Sequence, residues 1–97
     1  MPKIKCSYSI PVLVLKEGNC FVAYSPAIDV STVGDTFEEA KARFTEAANL
    51  FFEEIIEKGK VNEALIELGW QTKNDQLVPP SIISHQAETF SFNNFLQ

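Results

Sequence analysis

Few side chains in this sequence are of a type that does chemistry, and their spacing gathers almost none of them. His85 is the single histidine. It falls in a stretch that reads as loop, and no serine–histidine–acid order supports it, since a catalytic triad is defined by converging geometry. Cys6 and Cys20 make no Cys-x-x-Cys pair and have no histidine nearby. Neither metal binding nor thiol chemistry is expected of them, and both read as small core-filling residues of a reducing compartment. A metal-dependent nuclease needs several carboxylates converging on the ion. Here the acids fall mainly on helical segments, and Asp29 alone falls within an expected strand. Gly18 and Gly34 are isolated, outside any Gly-x-Gly-x-x-Gly or Gly-Lys-Thr context that would cradle phosphate. The eight Lys and Arg are scattered, with none after Lys73, so Tyr8, Tyr24 and Trp70 lack the basic groove in which aromatic rings stack on bases. On this inventory no catalytic residue, cofactor or metal is expected.

The elements that would position these residues are easier to read. Ile4, Cys6, Tyr8, Ile10, Val12 and Val14 alternate with polar Lys5, Ser7 and Ser9. The period of two predicts a strand over 4–14, with Pro11 marking an edge position or a break. Glu17-Gly18-Asn19 supplies a turn, and Cys20 to Tyr24 returns as the second strand of a hairpin that Pro26 ends. A third short strand is expected near Asp29 to Val33. Gly34 then relaxes the backbone for a turn, and Thr36 with Glu39 three residues on is a capping-box pattern.

From Phe37 to Lys58 the spacing predicts a long helix. Phe37, Ala40, Phe44, Ala47, Ala48, Phe51 and Ile55 form one apolar stripe for the sheet, with Leu50, Phe52 and Ile56 beside or beyond it. One sheet cannot cover both sets, which points to self-association. Gly59 is a candidate C-cap. A shorter helix from Glu63 to Leu68 follows, with Asn62 as N-cap, Gly69 as C-cap and Trp70 free to fold back on Leu65 or Ile66. Residues 71–84 read as loop, and Glu88 to Phe92 as a weak strand in which Phe90 and Phe92 share a face, with Phe95 and Leu96 adding apolar surface. That strand fits the sheet of its own chain or of a neighbour. The expected architecture is a single α+β domain over 1–97. It is a small antiparallel three- to four-stranded sheet in the order β-β-β-α-α-β with one long helix packed across it. Its core lies at 4–60, a second helix at 62–69, and a loop and C-terminal strand at 71–97.

At 97 residues, 45% hydrophobic and with eight phenylalanines, the chain can build one modest core. The net charge of −5 disfavours nonspecific binding to nucleic acid or anionic membranes and suits a basic protein partner. No apolar run approaches spanning length, and Met1-Pro2-Lys3-Ile4-Lys5 lacks the apolar block of a signal peptide, so a cytoplasmic protein is expected, as a dimer or tetramer of itself.

Two segments carry a resemblance. Phe21-Val22-Ala23-Tyr24-Ser25-Pro26, followed by Gly34, Thr36, Glu38, Glu39 and Ala40, resembles the core signature of the HicB-like antitoxin family. In that family the second hairpin strand carries an aromatic-Val-Ala-Tyr run before a proline, and a Gly-x-Thr turn enters a helix opening with Glu-Glu-Ala. Glu53, Glu54 and Gly59 resemble the acidic end of the same helix, so the match covers roughly residues 8–60. The resemblance implies a partial RNase H-like fold. It also implies an antitoxin that masks the active surface of a HicA-type toxin, a small basic RNA-cleaving protein. By that resemblance, Phe21, Tyr24, Ser25, Pro26, Asp35, Glu38 and Glu39 are the positions expected to meet the partner. Many members add a ribbon-helix-helix or helix-turn-helix reader of DNA. Here Lys73 is the one basic residue after Trp70, so no DNA-binding domain is expected. A solitary homo-oligomeric member with an unrelated partner or ligand is the alternative, and an RNase H-like hydrolase a third.

Overall fold

The computed structural model of the protein describes residues 8–93. Three antiparallel strands come first, β1 (Leu13–Glu17), β2 (Cys20–Ser25) and β3 (Val30–Gly34), in spatial order β1-β2-β3. Helix α1 (Phe37–Glu57) then crosses the sheet, mostly over β3, and α2 (Val61–Glu67) leads to a small separate hairpin, β4 (Gln71–Lys73) and β5 (Gln76–Val78). The expected α+β layout of a small antiparallel sheet under one long helix is therefore present.

Register follows from the turns. Glu17 pairs with Cys20 across a two-residue loop in which Gly18 takes φ +60°, as a type II′ hairpin requires at its first loop position. From there Val14 faces Ala23, and Ala23 faces Thr32, so these residues share the helix side of the sheet. The other side carries Leu13 and Leu15 on β1, Val22 and Tyr24 on β2, and Val33 on β3. The first strand thus begins at Leu13, later than the alternation over 4–14 indicates. Pro11 offers no N–H to a ladder, and the tight turn fixes pairing over 13–17 instead. Residues 8–12 have no regular structure, although Tyr8 lies edge-on to Trp70 at 5.0 Å between centroids. The earlier part of that expected strand, with Cys6, lies outside the described residues.

The core is built from Ala23, Ala27, Ile28, Ala40, Phe44, Ala48, Ile55, Leu65 and Trp70. Of the expected stripe on α1, Ala40, Phe44, Ala48 and Ile55 are buried, Ala47 and Phe51 are half-buried, and Phe37 at the helix start is exposed. Both helices end in Schellman caps. Lys60 N–H donates to the Ile55 carbonyl and Gly59 N–H to Ile56, while Trp70 N–H donates to Leu65 and Gly69 N–H to Ile66. The positive φ of Gly59 and Gly69 makes those turns, and the second returns Trp70 onto Leu65, as its position after the cap predicts. Helix α2 starts at Val61 with Lys60 as N-cap and no side-chain capping bond, two residues ahead of the Asn62 cap expected.

Two further expectations change. Residues 71–84, read as loop, contain the β4–β5 hairpin, turned by Asn74 and Asp75 with φ +51° and +63°, the type I′ pattern. Residues 88–92 are not a strand, and they lie exposed and without regular structure. Phe95 and Leu96 lie outside the described residues.

Candidate functional site

The residues expected to meet a partner fall at two ends of the sheet. β2 is the central strand, and its Phe21 pairs with Gly34 at one end while Ser25 pairs with Val30 at the other, about 13 Å away along the strand. Phe21, Asp35, Glu38 and Glu39 therefore form one group, and Tyr24, Ser25 and Pro26 another.

At the first end the strand-to-helix junction is tightly braced. Gly34 is buried, and a β-carbon placed on it would sit 2.5 Å from the Ala40 backbone nitrogen. Its φ is not positive, so the expectation that Gly34 relaxes the backbone for a turn is corrected: the residue is glycine because the helix leaves no room for a side chain. Thr32 Oγ1 donates to the Ala40 carbonyl at 2.9 Å, adding a second tie between β3 and the first helical turn. The expected N-cap is present, with Glu39 N–H donating to Thr36 Oγ1 at 3.0 Å. The reciprocal half of the box is shifted by one residue, because Glu39 Oε1 accepts from Asp35 N–H at 3.4 Å. That same oxygen pairs with Arg43 at 2.8 Å, and the other arm of Arg43 donates to the Val33 carbonyl at 2.7 Å. Asp35 and Glu38 stay exposed. Glu39 is thus a brace, and Asp35 and Glu38 are the accessible acids of this group.

At the second end the chain plugs its own core. Ser25 is fully buried, and its Oγ accepts from Ala27 N–H at 3.2 Å while its carbonyl accepts from Asp29 N–H at 2.9 Å. That turn drives Ala27 and Ile28 inward, and Trp70 Nε1 donates to the Ala27 carbonyl at 2.7 Å. Asp29, expected within a strand, closes the turn at φ +53° and accepts from the Tyr24 hydroxyl at 3.1 Å. This hydrogen bond, then partial burial and the carboxylate charge, push the Tyr24 phenol above its ordinary pKa. Ser25 is enclosed, and of this group Tyr24 and Pro26 remain reachable from outside.

A surface that the sequence reading treated only as surplus stands out at the far end of α1. Leu50 and Ile56 are 65% and 63% exposed. Around them Glu46, Glu53, Glu54 and Glu57 are exposed, and no basic residue occurs from 46 to 57. Glu46, Leu50, Glu53 and Glu57 recur at helical spacing along the ridge opposite the buried one. Carboxylates in the last helical turn oppose the helix dipole, and one is offset by Lys58, whose Nζ lies 2.7 Å from Glu54 Oε1. That hydrogen bond and ion pair hold Glu54 below, and Lys58 above, their ordinary pKa values.

His85 is exposed in the C-terminal segment, and Cys20 is a half-buried free thiol at the start of β2. Among the described residues no three His, Cys, Asp or Glu side chains are grouped so as to hold a metal ion, and no helix is long and apolar enough to cross a membrane. A shallow hollow of about 270 Å³ opens beside the second hairpin, lined by Gly69, Gln71, Lys73 and the Pro79–Pro80 step, and none of the expected partner residues lines it. No protein-family model, curated protein or solved structure matches this chain.

Proposed function

We propose that this protein is a binding module of the HicB-like antitoxin kind, acting in the cytoplasm to mask the active surface of a small basic protein of the HicA type. It carries out no catalysis itself in this reading. The observation that carries the proposal is the acidic ridge at the end of α1. Its glutamates surround two exposed apolar side chains, and those nearest the C-terminus, Glu54 and Glu57, sit where the helix dipole disfavours them. Residues that break a local rule of stability without local compensation are expected where a surface serves another purpose. A basic partner would supply the missing counter-charges and cover Leu50 and Ile56, while the resemblance at Phe21–Pro26 and Gly34–Ala40 supplies the family. In the proposal the accessible acids Asp35 and Glu38, together with Tyr24 and Pro26, extend the contact.

The test is a pull-down of the tagged protein from its native host, repeated with Glu46→Lys, Glu53→Lys and Glu57→Lys combined. A stoichiometric small basic partner, lost on charge reversal and weakened by salt, is the expected result. Recovery of no basic protein, or of one that binds the reversed variant equally well, would overturn it.

A further inference from the structure

A second exposed apolar surface lies away from the acidic ridge of α1, on the C-terminal segment and the outer face of the sheet. After Val78 the chain leaves the domain. Residues 81–93 are exposed throughout, with Phe90 and Phe92 80% and 83% accessible. The radius of gyration is 17.2 Å and the long dimension 63 Å, where a compact domain of this length has a radius near 13 Å. An arm rather than a packed tail accounts for the excess. Within it Glu88 is the only Asp, Glu, Lys or Arg, and Phe90 and Phe92 alternate with Thr89 and Ser91. That is a strand pattern with no strand partner among the described residues of its own chain.

The sheet presents the complement. Its outer face carries Leu15 and Val33, 54% and 51% exposed, with Val22 between them and Leu13 two residues from Leu15 on the same strand, and its described strands place one acid there, Glu17. The edges of the sheet differ. On the β3 side, Arg43 already occupies the Val33 carbonyl. On the β1 side, pairing alternates from the two-residue turn at Gly18–Asn19, so Val14 and Lys16 turn their N–H and C=O groups away from β2 toward an edge that no strand of the described residues pairs. An extended segment can add there as a fourth strand.

We propose that residues 88–92 of a second copy of this chain add to the edge of β1, placing Phe90 and Phe92 beside Leu13 and Leu15 on the outer face, and that two chains exchange arms to form a dimer. Charge selects the occupant. Two chains of −5 repel each other over most of their surfaces, but the arm and the outer sheet face are both nearly neutral and apolar. A basic partner gains nothing from them, whereas a second copy covers apolar area at little electrostatic cost. The surface is distinct from the acidic ridge on α1, so both can be occupied at once.

The experiment mixes two full-length variants, each in a Cys6→Ser, Cys20→Ser background, one carrying Leu15→Cys and the other Phe90→Cys. Under mild oxidation the expected product is a disulfide-linked heterodimer between the two variants, alongside a wild-type dimer by light scattering. The Phe90→Ser, Phe92→Ser double variant should self-associate about thirtyfold or more weakly with unchanged circular dichroism. A monomeric wild-type protein would overturn the proposal. So would a dimer indifferent to the double substitution, or a mixture in which no disulfide forms between the Leu15→Cys and Phe90→Cys chains.

Discussion

Trp70 Nε1 donates a 2.7 Å hydrogen bond to the carbonyl of Ala27, joining the segment after α2 to the turn between β2 and β3. Both residues are buried, so each completes the other's polar requirement away from water. Trp70→Phe keeps most of the apolar volume but leaves the Ala27 carbonyl unpaired. The expected loss is about 1–3 kcal/mol of stability, read from the urea midpoint. Trp70 is the only tryptophan, so native fluorescence should be blue-shifted and move to the red through the same transition. Equal midpoints for the two proteins would contradict the buried bond.

Gly34→Ala places a β-carbon 2.5 Å from the Ala40 nitrogen, against backbone that cannot rotate aside. A loss of about 2 kcal/mol or more is expected. Gly18→Ala is the control, since nothing lies within 4 Å of its would-be β-carbon and only its φ of +60° is strained. It should cost about 1 kcal/mol. If Gly34→Ala proved the milder of the two in denaturant melts, the close approach of β3 to α1 would be wrong.

Thr36→Ala removes the acceptor for Glu39 N–H at the start of α1. About 1 kcal/mol should be lost, while Thr36→Ser retains most of it. Equilibrium unfolding of the three proteins decides the matter, and an unaffected alanine variant would assign the cap to another group.

The Tyr24 phenol should deprotonate above the ordinary tyrosine value of about 10, because its hydrogen bond to Asp29 holds the proton. A folded-state pKa raised above the unfolded one adds stability below pH ~10, and that contribution fades as pH rises through the folded value. Ring-carbon NMR in a Tyr8→Phe background follows the titration. Asp29→Asn should return it toward the ordinary value, and an identical curve would show that the carboxylate does not hold the hydroxyl proton.

Where hydrophobic period and turn chemistry agree, the structure follows them. Phe44, Ala48 and Ile55 recur at helical spacing and are buried together, and Gly18-Asn19 turns the hairpin it announces. The β4–β5 hairpin was hidden because Gln71, Thr72, Lys73 and Gln76 are polar on both faces, so nothing alternates. Its signal was the Asn74-Asp75 pair, both types that tolerate left-handed backbone. The strand expected at 88–92 has the right alternation and no neighbour to pair with among the described residues, a condition local sequence does not carry.

The candidate site was less legible for a related reason. Ser25 and Tyr24 are adjacent, yet one is sealed inside and the other reaches Asp29, because successive strand residues point to opposite faces. Glu39 looks like the other surface glutamates until Arg43 and Asp35 converge on its carboxylate. Leu50 of the ridge of Glu46, Leu50, Glu53 and Glu57 was visible as surplus, but that none of these glutamates pairs with a cation among the described residues appears only once the helix is placed.

The order of contacts along the chain also bears on how it is made. β1 pairs with β2, β2 with β3, and α1 lies back on β3, so every step to Glu57 joins a segment to one just synthesised. Short loops close at little entropic cost and speed folding. The sheet and its helix can therefore assemble while the later residues are still being added. Trp70 then arrives last, and its indole docks on a turn already formed around Ala27.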